Sequence, residues 1–215
     1  MIARNDSPYL MNYLGRPTCY SCLRPQDHCI CNLVSSFATH FDVLLLQHPK
    51  ERRKYYGTAK IINQSVINSR LLIGEGFTKV DILPRNSQGS SYVLFPSATS
   101  LTCDQVHLGP NSTLILLDGT WSQARKLMRL TPDLQSLPRI SFAKPYSSRY
   151  RIRKQPKEGC LSTIEALAYF LYESSLNCDP DEAKSRLEQA YKLLKAFELM
   201  VEKQIEYAKR YQFCY

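Results

Sequence analysis

The chain has 215 residues, of which 44% are apolar and 22% charged, a balance that suits one folded domain and excludes a disordered chain. The longest apolar run, Ala166 to Tyr172, is too short to span a bilayer, and the opening MIARNDSPYL has no apolar stretch of a secretory leader, so neither a membrane span nor export is expected. Twenty-eight Lys and Arg against nineteen Asp and Glu give +9, which points to a polyanionic partner, nucleic acid ahead of membrane, although a basic soluble enzyme would show the same balance.

In chain order, residues 1–15 lack periodicity and read as a loose arm. Residues 16–36 hold four of the eight cysteines in the pattern Cys-x2-Cys-x6-Cys-x-Cys: Cys19, Cys22, Cys29 and Cys31. Thiolates are soft ligands, and four of them suit a tetrahedral, structural zinc with no open position. His28 adjoins the second pair and could replace one thiolate. A redox Cys-x2-Cys would leave the second pair unexplained. Phe41 to Gln47 reads as a buried strand closed by His48-Pro49, and Thr58 to Leu72 as a helix ended by Gly74 and Gly76, with Ala59, Ile62, Val66 and Ile73 at helical spacing. Tyr92 to Phe95 and Leu114 to Leu117 read as further buried strands, with Arg139 to Phe142 as a fourth. Helices are expected over Ser122–Leu130, stopped by Pro132, over Ser162–Ser174, and over Asp181–Arg210. The apolar stripe of the last helix is Leu187, Tyr191, Leu194, Phe197 and Val201.

Short apolar strands alternating with helices predict an α/β fold with a mainly parallel sheet flanked by helices, plus a small N-terminal cysteine module. Ligands in such sheets bind beyond the carboxyl ends of the strands. Three segments fall there: Phe95-Pro96-Ser97, Leu117-Asp118-Gly119-Thr120-Trp121, and Gly159 to Ala166. Asp118 ends a strand, where a carboxylate can act as a base or hold a cation, and Gly119 would let backbone approach a ligand. By spacing alone, Asp118 is better read as the N-cap of the next helix, and the two roles are compatible. Ser162-Thr-Ile-Glu165 fits a capping box, and a helix start can also receive a carboxylate or an adenine edge. There is no Walker loop, GxGxxG or HExxH. Basic residues cluster at Lys50, Arg52, Arg53 and Lys54 and again from Lys144 to Lys157, interleaved with Tyr146 and Tyr150, a pattern suited to phosphates and unpaired bases or simply to a solvated face.

Several of these segments together resemble the DTW-domain family. They are Cys19-x2-Cys22-x-Arg24-Pro25-x3-Cys29-x-Cys31, Gln47-His48-Pro49-x-Glu51, Thr58-Ala59, Phe95-Pro96-Ser97, Asp118-Gly-Thr-Trp121, Tyr150-x-Ile-Arg153-Lys-Gln-Pro156 and Leu161-Ser-Thr-x-Glu165-Ala166. The resemblance implies a SPOUT-like catalytic domain with a C-terminal trefoil knot, over residues 37–215, after an arm and zinc module over 1–36. It implies a cytoplasmic tRNA-uridine aminocarboxypropyltransferase. Such an enzyme uses S-adenosylmethionine as co-substrate and places a 3-amino-3-carboxypropyl group on uridine N3. On that reading Asp118 is the catalytic base or an orienting group. Phe95, Pro96, Ser97, Leu117, Asp118, Gly119, Thr120, Trp121, Leu161, Ser162, Thr163 and Ala166 cradle the co-substrate. Arg24, Arg52, Arg53, Arg149, Arg151, Arg153 and Lys154 meet the tRNA, while His48 and Glu51 are either pocket residues or local structural ones. A monomer is favoured, though the long last helix could also pack on a second copy. The competing expectations are a SPOUT-type RNA methyltransferase and a non-catalytic, zinc-dependent RNA-binding protein.

Overall fold

The computed structural model describes residues 9–11, 17–22, 24–54, 56–83, 89–151 and 160–211. A short antiparallel hairpin comes first, β1 (Tyr9–Met11) with β2 (Pro17–Cys19), so part of the expected loose arm is a strand. Then follow β3 (Asp42–Gln47), α1 (Ala59–Ser65), β4 (Ser69–Ile73), the one-turn α2 (Lys79–Ile82), β5 (Ser90–Leu94), β6 (Leu101–Thr102), β7 (Ser112–Asp118), α3 (Trp121–Leu130), α4 (Pro132–Ser136), β8 (Arg139–Ser141), α5 (Thr163–Ser174) and α6 (Pro180–Tyr211). The last six strands in the series, β3 to β8, form one sheet in the order β4-β3-β7-β5-β8-β6, and every pairing in it is parallel.

A parallel sheet needs a cover on each face, and the alternation of side chains along the central strands supplies two apolar surfaces. Val43, Leu45, Leu114 and Leu116 face one way, onto Ile61 and Ile62 of α1, Leu167 and Leu171 of α5, and Leu193 and Phe197 of α6. Leu44, Leu46, Val93 and Ile115 face the other way, onto Ile82, Met128 and Leu134. The result is a three-layer α/β/α stack in which β3 and β7 are neighbouring interior strands. The register sets Gln47 beside Asp118, both at the carboxyl ends of these strands. The cysteine module is part of the same body: Cys19, Cys22 and Ile30 join the core that α1, α5 and α6 share. Lys203 of α6 donates to the Cys29 carbonyl at 2.8 Å, and Tyr207 meets His28 edge-on at 4.4 Å. No described helix is long and apolar enough to cross a membrane.

Two expectations are corrected here. The helix read over Thr58–Leu72 stops at Ser65, and residues from Ser69 run as edge strand β4. The break is a bridge between Phe37 and Val66, reinforced by Asn68, whose amide donates to the carbonyls of Thr39 and Phe41 at 3.1 and 2.7 Å. The apolar spacing of Val66 and Ile73 is accidental to that helix. On α6, Leu187 and Tyr191 are exposed instead of inward. Arg186 takes the inward position: its guanidinium sits over the Phe41 ring and bonds Glu182 and the Leu108 carbonyl, so a charged side chain displaces the stripe by one residue.

Candidate active site and cysteine cluster

A cavity of about 780 Å³ opens beyond the carboxyl ends of β5, β7 and β8, a size within the ordinary range of small-molecule sites. Of the residues expected to cradle a co-substrate, Phe95, Pro96, Leu117, Asp118, Gly119, Thr120, Trp121, Leu161, Ser162, Thr163 and Ala166 all line it. Ser97 does not: its backbone N–H and hydroxyl are engaged by Ser100 at 2.7 and 3.1 Å in the turn behind the wall.

Asp118 is buried at the cavity wall. Its Oδ1 accepts from the Thr163 hydroxyl at 2.6 Å and its Oδ2 from the Gln47 amide at 2.7 Å. The carboxylate is therefore fixed between the end of β3 and the start of α5. It does not cap α3. Thr120 does, in a capping box with Gln123, whose Oε1 accepts from the Thr120 N–H at 2.6 Å. A Cβ on Gly119 would stand 2.9 Å from the Gln123 Cβ, so the glycine lets that box close. Trp121 is thus released to lie across the cavity: its ring tilts against Phe95, with centroids 5.8 Å apart, and its Nε1 donates to the Cys160 sulfur at 2.9 Å.

The opposite wall is the segment 142–150, clamped by one carboxylate. Glu165 is fully buried and accepts from the Ser162 N–H and hydroxyl, the Ser148 hydroxyl and the Arg149 N–H, at 2.9, 2.6, 2.8 and 2.6 Å. The capping box expected at Ser162 is therefore also the hinge that pins the wall to α5. Tyr146 lines the cavity, stacks on Tyr169 at 4.1 Å and donates to buried Glu173 at 2.8 Å. Burial, and then the Glu173 carboxylate, push its phenol above the ordinary value. Tyr150, read with Tyr146 as an aromatic suited to unpaired bases, also lines the cavity but is buried: it packs edge-on to Phe197 and donates to the Tyr56 carbonyl at 2.7 Å. Glu51 is buried, lines the cavity and pairs with Lys54 at 2.7 Å. His48 does not line it; its Nδ1 caps the turn at Lys50 and its Nε2 lies 3.4 Å from Glu75. Gln47, Tyr146 and Cys160 are not assigned to the site from the sequence, although Cys160 falls in the strand-end segment Gly159–Ala166 and Tyr146 in the basic run. Of these, Gln47 had a signal, its place at the end of a central strand.

The four cysteine sulfurs gather within 4.8 Å of one another, with Cys19 to Cys31 at 3.6 Å and Cys22 to Cys29 at 3.8 Å. A tetrahedron of sulfurs at ~2.3 Å from a metal has edges of about 3.8 Å, so the cluster could hold such an ion with little movement. His28 is outside this ligand group; its ring lies against Tyr207, with Nε2 3.5 Å from Asp27. Burial opposes ionisation of Cys19, but the N–H groups of Cys22 and Ser21 and the neighbouring thiols outweigh it and bring the thiol down to about 7. Arg24, expected at an RNA surface, is 1% exposed and lies against Cys22. Burial lowers its pKa, and the sulfur charge of Cys22 works the other way. That is a correction: the guanidinium faces the cysteine cluster, where it would offset thiolate charge, and does not face solvent. Arg52, Arg53 and Arg151 are exposed, and Arg149 is exposed but paired with Glu198 at 2.5 Å. Arg153 and Lys154 lie outside the described residues.

A parallel sheet covered on both faces, with an apolar cavity at its strand ends built around a fixed aspartate, defines an α/β protein with a small-molecule site. The sequence profile of the DTW domain matches residues 16–205, and the chain belongs to that family. It is 30% identical over 165 residues to a Drosophila melanogaster protein named tRNA-uridine aminocarboxypropyltransferase 2, covering 73% of this chain and 66% of that one. A Mus musculus protein of the same name is 29% identical over 208 residues, covering 91% and 68%, and a Macaca fascicularis one is 28% identical, covering 73% and 56%. The matches to the fly and macaque relatives therefore span less than two thirds of their lengths. An Arabidopsis thaliana relative, tRNA-uridine aminocarboxypropyltransferase A, is 25% identical over 85% of this chain and 81% of its own length. No solved structure gives a significant match.

Proposed function

We propose that the chain transfers the 3-amino-3-carboxypropyl group of S-adenosylmethionine to N3 of a tRNA uridine. The observation that carries this reading is the strand-end cavity around Asp118, in a chain whose relatives bear the name of that activity. The donor supplies an electrophilic carbon next to a sulfonium. A C–N bond forms as a C–S bond breaks, the electron pair leaves on sulfur as neutral methylthioadenosine, and the N3 proton must be accepted. Asp118 is our candidate for that, a carboxylate at the cavity wall oriented by Thr163 and Gln47. It takes the proton, or it orients the uridine imide while water takes it. The rest is positioning, which can contribute most of the acceleration. Trp121 and Phe95 close the apolar side, and the 142–150 wall, clamped by Glu165, closes the other.

The four thiols fit a structural zinc, which would anchor the module on α6. A SPOUT-like class with a C-terminal knot accords with the parallel sheet and with a cavity made from the loops after β5 and β7 and the start of α5. Exposed Arg52, Arg53 and Arg151, together with Arg149, Arg153 and Lys154, are the tRNA-contact candidates. A monomer in the reducing cytoplasm suits the thiolate cluster. The test supplies tRNA and S-adenosylmethionine labelled either in the aminocarboxypropyl carbons or in the methyl. Label from the first in uridine, with methylthioadenosine released, is expected. Methyl label in the tRNA with S-adenosylhomocysteine released would make the chain a methyltransferase. No label, with salt-sensitive tRNA binding, would make it a binding protein.

A further inference from the structure

We propose a second metal site, outside both the cavity and the four-cysteine cluster, made by His107, Cys178 and Glu182. One ring nitrogen, the thiol sulfur and a carboxylate oxygen of these residues lie within 4.8 Å of one another. They come from three places: the loop before β7, the loop after the turn Ser175–Asn177, and the first turn of α6. A donor set of one nitrogen, one sulfur and one oxygen suits zinc and its neighbours and does not suit calcium or magnesium, which take oxygen.

The three groups are held by a frame. Arg186 is 2% exposed, and its Nε and Nη2 donate to Oε1 of Glu182 at 3.1 and 2.6 Å. The same Nη2 donates to the Leu108 carbonyl at 3.1 Å, one residue beyond His107. One guanidinium thus fixes a carboxylate ligand and the backbone beside the imidazole, the kind of support that orients metal ligands elsewhere. The Asn177 amide donates to the Asp104 carbonyl and ties the Cys178 loop to the His107 loop. The Cys178 thiol donates to the Ser174 carbonyl at 3.1 Å. Binding exchanges that S–H for a sulfur–metal bond and releases the proton to solvent. Three protein ligands leave a fourth position for water or a donor from outside the chain. The bound ion would staple the start of α6 to the loop that leads into β7.

The site is tested on the full chain with zinc alone. After stripping with a chelator and dialysis against buffered micromolar zinc, metal analysis is expected to find about two ions per chain, against about one for His107→Ala and for Cys178→Ser. His107 is exposed, so its replacement leaves the core intact. Cys22→Ser should lose the other ion and keep this one, which separates the two sites. In a cobalt titration, the weaker of two phases should lose its sulfur charge-transfer absorption in Cys178→Ser. Zinc should also raise the melting temperature of the wild type more than that of His107→Ala. Equal metal content in the wild type, His107→Ala and Cys178→Ser overturns the proposal.

Discussion

Replacing Asp118 by asparagine removes a charge from the cavity wall with almost no change in shape, so it separates chemistry from scaffolding. In the wild type the carboxylate accepts at 2.6 Å from Thr163 and at 2.7 Å from Gln47. Asparagine keeps a carbonyl oxygen for the Gln47 amide. Its own amide can donate to the Thr163 hydroxyl, which is free to rotate and accept. Two hydrogen bonds to a charge become two neutral ones, a loss of roughly 1 kcal/mol each, partly offset because a buried charge is gone. The expected cost is about 1–2 kcal/mol, and at ~2–4 °C per kcal/mol for a chain of this size the melting temperature falls by roughly 2–8 °C. Transfer should suffer far more. Loss of a positioned base typically removes 10²–10⁴ in rate, or about 2.7–5.5 kcal/mol of barrier. Methylthioadenosine release at saturating tRNA, with a thermal melt on the same sample, reads both quantities. A folded variant that keeps transfer within about threefold of wild type, ~0.7 kcal/mol, refutes a chemical role for the carboxylate.

In Glu165→Gln a carbonyl at the Oε2 position keeps the three donors from Ser148 and Ser162, while the Arg149 N–H that met Oε1 faces an amide NH2 and loses its partner, costing about 1–3 kcal/mol, or roughly 2–12 °C. Urea or thermal melts measure this, and a change below about 1 kcal/mol would show that the 142–150 wall is held by something else. In the metal-free chain, thiolate absorbance should rise with a midpoint of about 7 and lose that step in Cys19→Ser. Because Cys19 ionises below the ordinary thiol value of 9.0, its contribution to stability is present above the unfolded thiol's range and is lost as pH falls through about 7; a first step near 9.0 contradicts this. Cys22→Ser should lower both metal content and melting temperature, and an unchanged metal content rejects it as a ligand. Neutralising Arg52, Arg53 and Arg151 should weaken tRNA binding and flatten its salt slope by ~0.7–0.9 for each phosphate no longer neutralised; unaltered affinity moves the RNA surface elsewhere.

The segments that the amino-acid order alone determined are those governed by short-range rules. Apolar runs bounded by turn formers marked β3, β7, α5 and α6, and the cysteine spacing marked a cluster that does converge within 4.8 Å. The strand-end rule located the cavity around Phe95, Asp118 and Leu161. Tertiary structure decided what depends on a neighbour distant in the chain. Asn68 reaches back to Thr39 and Phe41 and turns an apparent helix into an edge strand. Asp118 has the spacing of a helix cap, yet Thr120 takes that task and leaves the carboxylate to Gln47 and Thr163, 71 and 45 residues away along the chain. Arg24 and Tyr150 have the composition of a nucleic-acid surface, but both are interior: the Arg24 guanidinium is buried beside Cys22, and the Tyr150 hydroxyl donates to the Tyr56 carbonyl. Periodicity and capping act over a few residues, so a sequence displays them. The burial of a charge depends on which partner the fold brings within hydrogen-bonding distance, and only the packed chain makes that choice.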